Sequence, residues 1–139
     1  MTLLDIRNLS VEFHTEEGVV RAVDQVSFDI PRGKTVCLVG ESGCGKSVSS
    51  YALLGLVSPP GRVVEGEAIL DGETKQDLLK LPESGLRSIR GNRISMIFQE
   101  PMTSLNPVFT IGDQIIEAIL SHQAMDKGAA REKTIAMLK

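Results

Sequence analysis

Apolar and polar positions alternate along LLDIRNLSVEF (residues 3–13), which predicts a half-buried strand, and VVRAVDQVSFDI (19–30) continues as one or two more. PRGK (31–34) predicts a turn. The five-residue apolar run TVCLV (35–39) predicts a strand buried on both faces. A glycine-rich loop follows, then KSVSSYALLGL (46–56) as a helix that SPPG (58–61) breaks. VVEGEAILDGE (63–73) reads as a strand with an Asp71-Gly72 turn, a hairpin at a sheet edge. GLRSIRG (85–91) predicts a short helix and RISMIF (93–98) a second buried strand, which stops at the proline-bounded loop QEPMTSLNP (99–107). Thr110 opens a helix with Asp113 as its capping partner; Ile111, Ile115 and Ile119 share a face, with Ile116 and Leu120 alongside. DKGAAREKTIAMLK (126–139) begins another helix and reaches Lys139 with no glycine, asparagine or proline stop, so the chain reads as cut rather than finished.

Composition narrows the class. At 139 residues, 42% of them hydrophobic and 24% charged, the chain suits a soluble domain with a real core. Lys and Arg number 15 against 18 Asp and Glu, a net charge of -3, which argues against a general nucleic-acid binder. No apolar run approaches the roughly 18 residues that span a membrane, and the N-terminus lacks the basic-then-apolar order of a signal peptide. Cys37 and Cys44 fit no zinc or redox spacing, so a reducing, cytoplasmic setting is expected.

The chemistry lies in LVGESGCGKS, residues 38–47. Gly40-x-x-x-x-Gly45-Lys46-Ser47 is a complete phosphate-binding P-loop pattern between a strand and a helix. Glycines let the backbone bend around an oxyanion and turn successive N–H groups toward it. The helix that follows points its positive end at the same phosphates. Lys46 is expected to reach the β- and γ-phosphates, and the Ser47 hydroxyl to ligate Mg²⁺. The expected cradle for ATP is Gly40, Ser42, Gly43, Cys44, Gly45, Lys46, Ser47 and Val48.

With GESGCGKS followed some fifty residues later by ISMIFQEPMTSLNP, the sequence resembles the ATP-binding subunits of ABC transporters, and more narrowly those that drive oligopeptide, dipeptide or nickel import. LLGL, GEAILDGE, LRSIRGNRISMIFQEPMTSLNP and TIGDQIIEAI fall in that family's order over essentially the whole chain. The resemblance implies an α/β P-loop NTPase core, present in part, with an antiparallel β subdomain in residues 1–98. It implies a Q-loop and the start of a helical subdomain in 99–139. It assigns Gln99 to the glutamine whose side-chain oxygen sits near Mg²⁺ and the attacking water, and Phe13 to the aromatic that stacks on adenine. His14 next door is the alternative stacking residue. The implied partners are transmembrane permease subunits, docking through residues 99–107, and a second ATP-binding subunit. Pro101 and Pro107 fix that loop's shape, and Met102 and Leu105 supply apolar contact. The implied place is cytoplasmic, on the inner face of the cell membrane.

Two positions depart from the family's pattern. Val48 stands where a threonine is frequent, which leaves its backbone N–H but no hydroxyl. Cys44 fills a small-residue position; the alternative is a reactive thiol whose modification blocks nucleotide. Hydrolysis in the family also needs a Mg²⁺-binding Asp after four apolar residues, a catalytic Glu, a Ser-Gly-Gly signature and a switch histidine. In these 139 residues the nearest look-alike is EAILDGE, where only three apolar residues precede Asp71 and Gly72 marks a turn, so Asp71 and Glu73 are decoys. His14 and His122 are in the wrong context. The chain by itself is therefore expected to bind nucleotide without turning it over, and an open edge beside residues 35–39 is expected to favour self-association. A non-ABC P-loop enzyme such as a small kinase, and a non-hydrolysing permease-docking module, are the competing readings.

Overall fold

The computed structural model describes residues 1–99 and 104–139. They form two compact units, Met1–Leu86 and Arg87–Lys139.

In the first unit, β1 (Thr2–Thr15) and β2 (Gly18–Pro31) make one long antiparallel hairpin. Alternation buries Leu4 and Ile6, but Leu9, Ser10 and Val11 are then buried in succession. The break is a pair of bulges at Asn8 and Gln25, both at positive φ. Ser27 Oγ accepts from the Asn8 N–H at 2.8 Å, and buried Ser10 Oγ accepts from the Gln25 N–H at 3.0 Å. These hydroxyls stand in for the ladder bonds that a bulge removes. β3 (Gly61–Leu70) pairs antiparallel with β1 and with the short β4 (Gln76–Asp77), giving the order β2-β1-β3-β4. The strand over 63–73 is thus interior, not the edge that its local turn suggested. α1 (Lys46–Leu53) buries Ser49 and Ala52 and packs on β1, β2 and the 3-10 turn Leu78–Lys80.

The sheet is tied to the following turn by one carboxylate. Asp77 Oδ1 accepts from the Ala68 N–H at 3.0 Å and caps the next 3-10 turn through the Leu79 N–H at 3.2 Å; Oδ2 faces the Lys80 ammonium at 3.0 Å. Burial alone pushes this carboxyl up, but the bonds from Ala68, Lys80 and Leu79 together outweigh it and hold the group below the usual aspartate range. Such a group contributes stability that is in place above its unfolded value and is lost as pH falls through its folded one. Asp77→Ala is expected to cost about 1–2 kcal/mol at neutral pH, the size of a lost cap. In urea unfolding the gap to wild type should close below about pH 3.9, the unperturbed aspartate value. A gap independent of pH would mean that the charge of Asp77 does no work.

Two strands expected from the sequence do not form. Residues 35–39 join no ladder, and Val39 is 94% exposed. RISMIF makes only a single bridge, Arg90 to Ile94, and Ile97 is 90% exposed. A run apolar on both faces needs a strand at each side and a layer over each face. Among the described residues, neither run joins the four-stranded sheet.

After α2 (Glu83–Ile89), the second unit carries α3 (Ile111–His122) and α4 (Lys127–Met137). Thr110 Oγ1 accepts from the Asp113 N–H at 3.1 Å, the expected cap. Asp126 caps α4 through the N–H groups of Gly128 and Ala129. The helices meet through Ile116, Ile119 and Ala130, with Ile115 and Met125 against them. Ile111 and Leu120, placed by periodicity with the buried isoleucines, are exposed instead.

Candidate functional site

The glycine-rich loop of the first unit is shaped by two left-handed residues. Gly43 has φ 83° and Gly45 φ 88°, a region that costs a side chain strain. Gly45 is also the N-cap of α1, and no side chain caps that helix. The first intrahelical bond is donated by the Ser49 N–H to the Gly45 carbonyl at 2.9 Å. The N–H groups of Lys46, Ser47 and Val48 precede it and stay available to an acceptor in front of the helix. No acidic side chain lies in the first turn to compete for that place. Ser49 Oγ bonds back to the Gly45 carbonyl at 3.0 Å and is buried, which fixes the turn from behind.

The loop is seated on the sheet at Gly45. A Cβ built there lies 2.3 Å from the Ala22 carbonyl oxygen and 3.3 Å from Val23 Cγ2. β2 therefore sets the position of the helix start. Lys46 folds across the loop, its ammonium donating to the carbonyls of Gly40 at 2.8 Å and Glu41 at 2.6 Å, with Cys44 Sγ at 3.2 Å. Ser47 and Ser42 are exposed, and Val48 is half-buried with its N–H in the open first turn. Gly40 packs against Cys44, whose sulfur lies 2.6 Å from a Cβ built at Gly40, so the thiol fills the space that the glycine leaves.

Phe13 pairs with Val20 and Gly61 on neighbouring strands, and its ring lies over Gly61 and beside Val57. It stands two residues beyond Val11, which pairs with Val23, the residue touching Gly45. On a strand two residues apart share a face, so Phe13 stands on the loop's side of the sheet. His14 is exposed and turns to Glu12, Nε2 to Oε2 at 3.2 Å. Arg21 donates to the same Glu12 at 3.0 Å, and that hydrogen bond above all holds the Glu12 carboxyl below its usual range. Asp71 pairs with Arg32 at 3.0 Å and its N–H reaches the Leu3 carbonyl, a structural role that fits its reading as a decoy.

Gln99 is exposed and belongs to the second unit. Of the loop 99–107, Pro101 and Met102 lie outside the described residues. Its later part is held by Gln114, which periodicity alone does not single out. The Gln114 amide donates to the carbonyls of Asn106 at 3.0 Å and Phe109 at 3.1 Å, and accepts from the Asn106 N–H at 2.9 Å. Asn106 Oδ1 accepts in turn from Val108 N–H at 3.0 Å. A polar residue on the first turns of a helix, four after a threonine cap, is the only sequence hint of this clamp. Ala22 and Val23 were missed for a like reason: nothing local marks the strand residues that a distant loop will touch.

The residues present fit a polyphosphate with a divalent ion: an uncapped helix start, free backbone donors, one ammonium and the exposed hydroxyls of Ser42 and Ser47. Among the described residues no group of three or more His, Cys, Asp or Glu forms a metal cage of its own. No helix among them is long and apolar enough to cross a membrane.

Residues 23–138 match the family model described as "ABC transporter". The dipeptide transport ATP-binding protein DppD of Bacillus subtilis is 48% identical over 137 residues, covering 98% of this chain and 40% of its own length. The oligopeptide transport ATP-binding protein OppD of Haemophilus influenzae is 47% identical over 136 residues, 98% of this chain and 41% of its own length. The chain thus spans about two fifths of the length of these relatives. Among solved structures, dimeric MJ0796, a bacterial ABC transporter cassette, superposes with a TM-score of 0.79 at 24% identity, over 97% of this chain and 55% of that one. The same cassette in a post-hydrolysis state bound to ADP and Pi gives 0.76 at 23% identity.

Proposed function

We propose, for a chain that belongs to the ABC transporter family, that it is the nucleotide-binding portion of an ATP-driven importer of peptides. The observation that carries this reading is the loop itself: an uncapped α1 whose first N–H groups are free, with Lys46 beside them. The backbone of residues 43–48 donates to phosphate oxygens. Lys46 exchanges its bonds to the Gly40 and Glu41 carbonyls for bonds to the β- and γ-phosphates. Ser47 offers its hydroxyl to Mg²⁺, which when bound neutralises phosphate charge. Phe13, on the loop's side of the sheet, offers a ring face to adenine. Gln99 is the expected sensor of the γ-phosphate side. The peptide class follows from the relatives' names. The test is calorimetric titration with a non-hydrolysable ATP analogue and magnesium. Saturable one-site binding that EDTA weakens is expected, and no binding would end the reading.

The permease is expected to dock on the loop 99–107, where Leu105 is 43% exposed. Leu105→Asp places a charge in that apolar contact and is expected to weaken co-purification with the importer's membrane subunits at least tenfold, about 1.4 kcal/mol, with nucleotide affinity unchanged. Co-purification at the wild-type level would place the dock elsewhere.

A further inference from the structure

We infer that Gly61 and Val57 position the Phe13 ring, so that residues 57–61 form the back wall of a nucleobase subsite. This deepens, and rests on, the reading that adenine stacks on Phe13.

Phe13 and Gly61 stand directly opposite each other on the antiparallel strands β1 and β3. Residues so paired project to the same face of a sheet. With no side chain at 61, the ring takes the place that one would occupy. A Cβ built on Gly61 lies 2.6 Å from Phe13 Cε1, 2.9 Å from Phe13 Cζ and 2.8 Å from Val57 Cγ1. Gly61 is therefore glycine for room, not for its backbone angle, which lies outside the left-handed region. A glycine in a strand often marks such a close approach.

The wall is fastened on both sides. The Gly61 N–H donates to the Ser58 carbonyl at 2.9 Å, which closes the turn, and the N–H of His14, next to Phe13, donates to the Pro60 carbonyl at 3.2 Å. Val57 follows shortly after the end of α1 at Leu53, the helix that the P-loop opens. One short segment thus runs from the phosphate-binding helix to the strand behind the ring. Phe13 is half-buried. The part against Gly61 and Val57 is taken up, and the rest stays open to a planar ligand. Stacking needs the ring at a set angle, and a loose ring gives up part of the gain in becoming ordered. A ring held before the base arrives is preorganised.

Calorimetry on the 139-residue chain with magnesium compares a non-hydrolysable ATP analogue with tripolyphosphate, which carries phosphates without the base. Phe13→Ala should weaken the analogue about tenfold. Gly61→Ala pushes the ring aside and should weaken it about threefold or more. Tripolyphosphate affinity should be the same in both variants as in wild type. In the double mutant, Gly61→Ala should add nothing to Phe13→Ala, since no ring is left to move. Should Gly61→Ala fail to fold, Val57→Ala carries the test: it opens space beside the ring, and a loss of roughly two- to threefold for the analogue alone is expected. Gly112→Ala, where a Cβ meets nothing nearer than Thr110 Oγ1 at 3.9 Å, should leave both affinities as they were. Equal losses of the two ligands in Gly61→Ala, no loss of either, or an additive loss in the double mutant each overturns the inference. A chain that gives one of these results but binds tripolyphosphate loses the wall and keeps the proposed function. A chain that binds neither ligand loses the proposed function, and this inference with it.

Discussion

Replacing Lys46 with alanine is expected to lower affinity for a magnesium-bound ATP analogue about ten- to a hundredfold, with the fold intact. The side chain is the only ammonium on the loop, and its three close contacts are two carbonyls and a thiol. No acidic side chain among the described residues pairs with it, so its charge is available to a polyphosphate. A hydrogen bond to a charged group is worth about 1.5–3 kcal/mol net, and each 1.4 kcal/mol is tenfold in affinity. The carbonyls of Gly40 and Glu41 lose a donor in the mutant but are exposed and can turn to water, so far-UV circular dichroism should not change. Lys46→Arg should recover only part of the loss, because a planar fork does not replace a point charge in a tight loop. Calorimetry decides it. Undiminished binding in Lys46→Ala would show that the phosphates are held somewhere else.

The loop was legible because its requirements are local. A left-handed turn needs glycine, and a helix start needs no distant partner, so spacing alone located Gly43, Gly45 and α1. The same holds for Thr110, whose cap involves a residue three positions away. What spacing missed depends on residues far apart in sequence. β3 became interior because β4 pairs with its free side through Ile69 and Leu70. The bulges at Asn8 and Gln25 use positive φ at residues that are not glycine, and the hydroxyls that support them lie 19 and 15 residues away. The runs at 35–39 and 93–98 carry the composition of interior strands, and composition reports what a segment needs, not whether a neighbour is there to supply it. Phe13 shows both sides. Its residue type suggested a ring for stacking, but which side of the sheet it occupies comes only from the pairing of Val11 with Val23 and the contact of Val23 with the loop.

Gly45→Ala is expected to lower the melting temperature by about 10 °C or more and to abolish nucleotide binding, while Gly43→Ala costs only about a third of that. The two glycines have nearly the same backbone angle, φ 88° and 83°. Left-handed strain for an alanine is therefore common to both, about 1–2 kcal/mol. They differ in surroundings. A Cβ at Gly43 meets nothing within 4 Å, whereas one at Gly45 lies 2.3 Å from the Ala22 carbonyl oxygen. That oxygen belongs to the main chain of β2 beside the buried Val23, so it cannot swing aside as a side-chain end would. Relief requires the start of α1 to lift from the sheet, which draws Ser49 and Ala52 out of the core and turns the free N–H groups away from their common focus. Strain and lost packing together come to roughly 3–5 kcal/mol, a large part of the 5–15 kcal/mol that holds a domain of this size together. At about 3 °C per kcal/mol for a chain of this length, the difference between the two mutants should exceed 5 °C. Thermal unfolding followed by circular dichroism, with the ATP analogue titrated at 10 °C where both mutants are folded, separates stability from binding. Equal melting temperatures for the two would mean that the loop is not seated on β2 at Gly45, and the placement of the helix start by the strand would have to be given up.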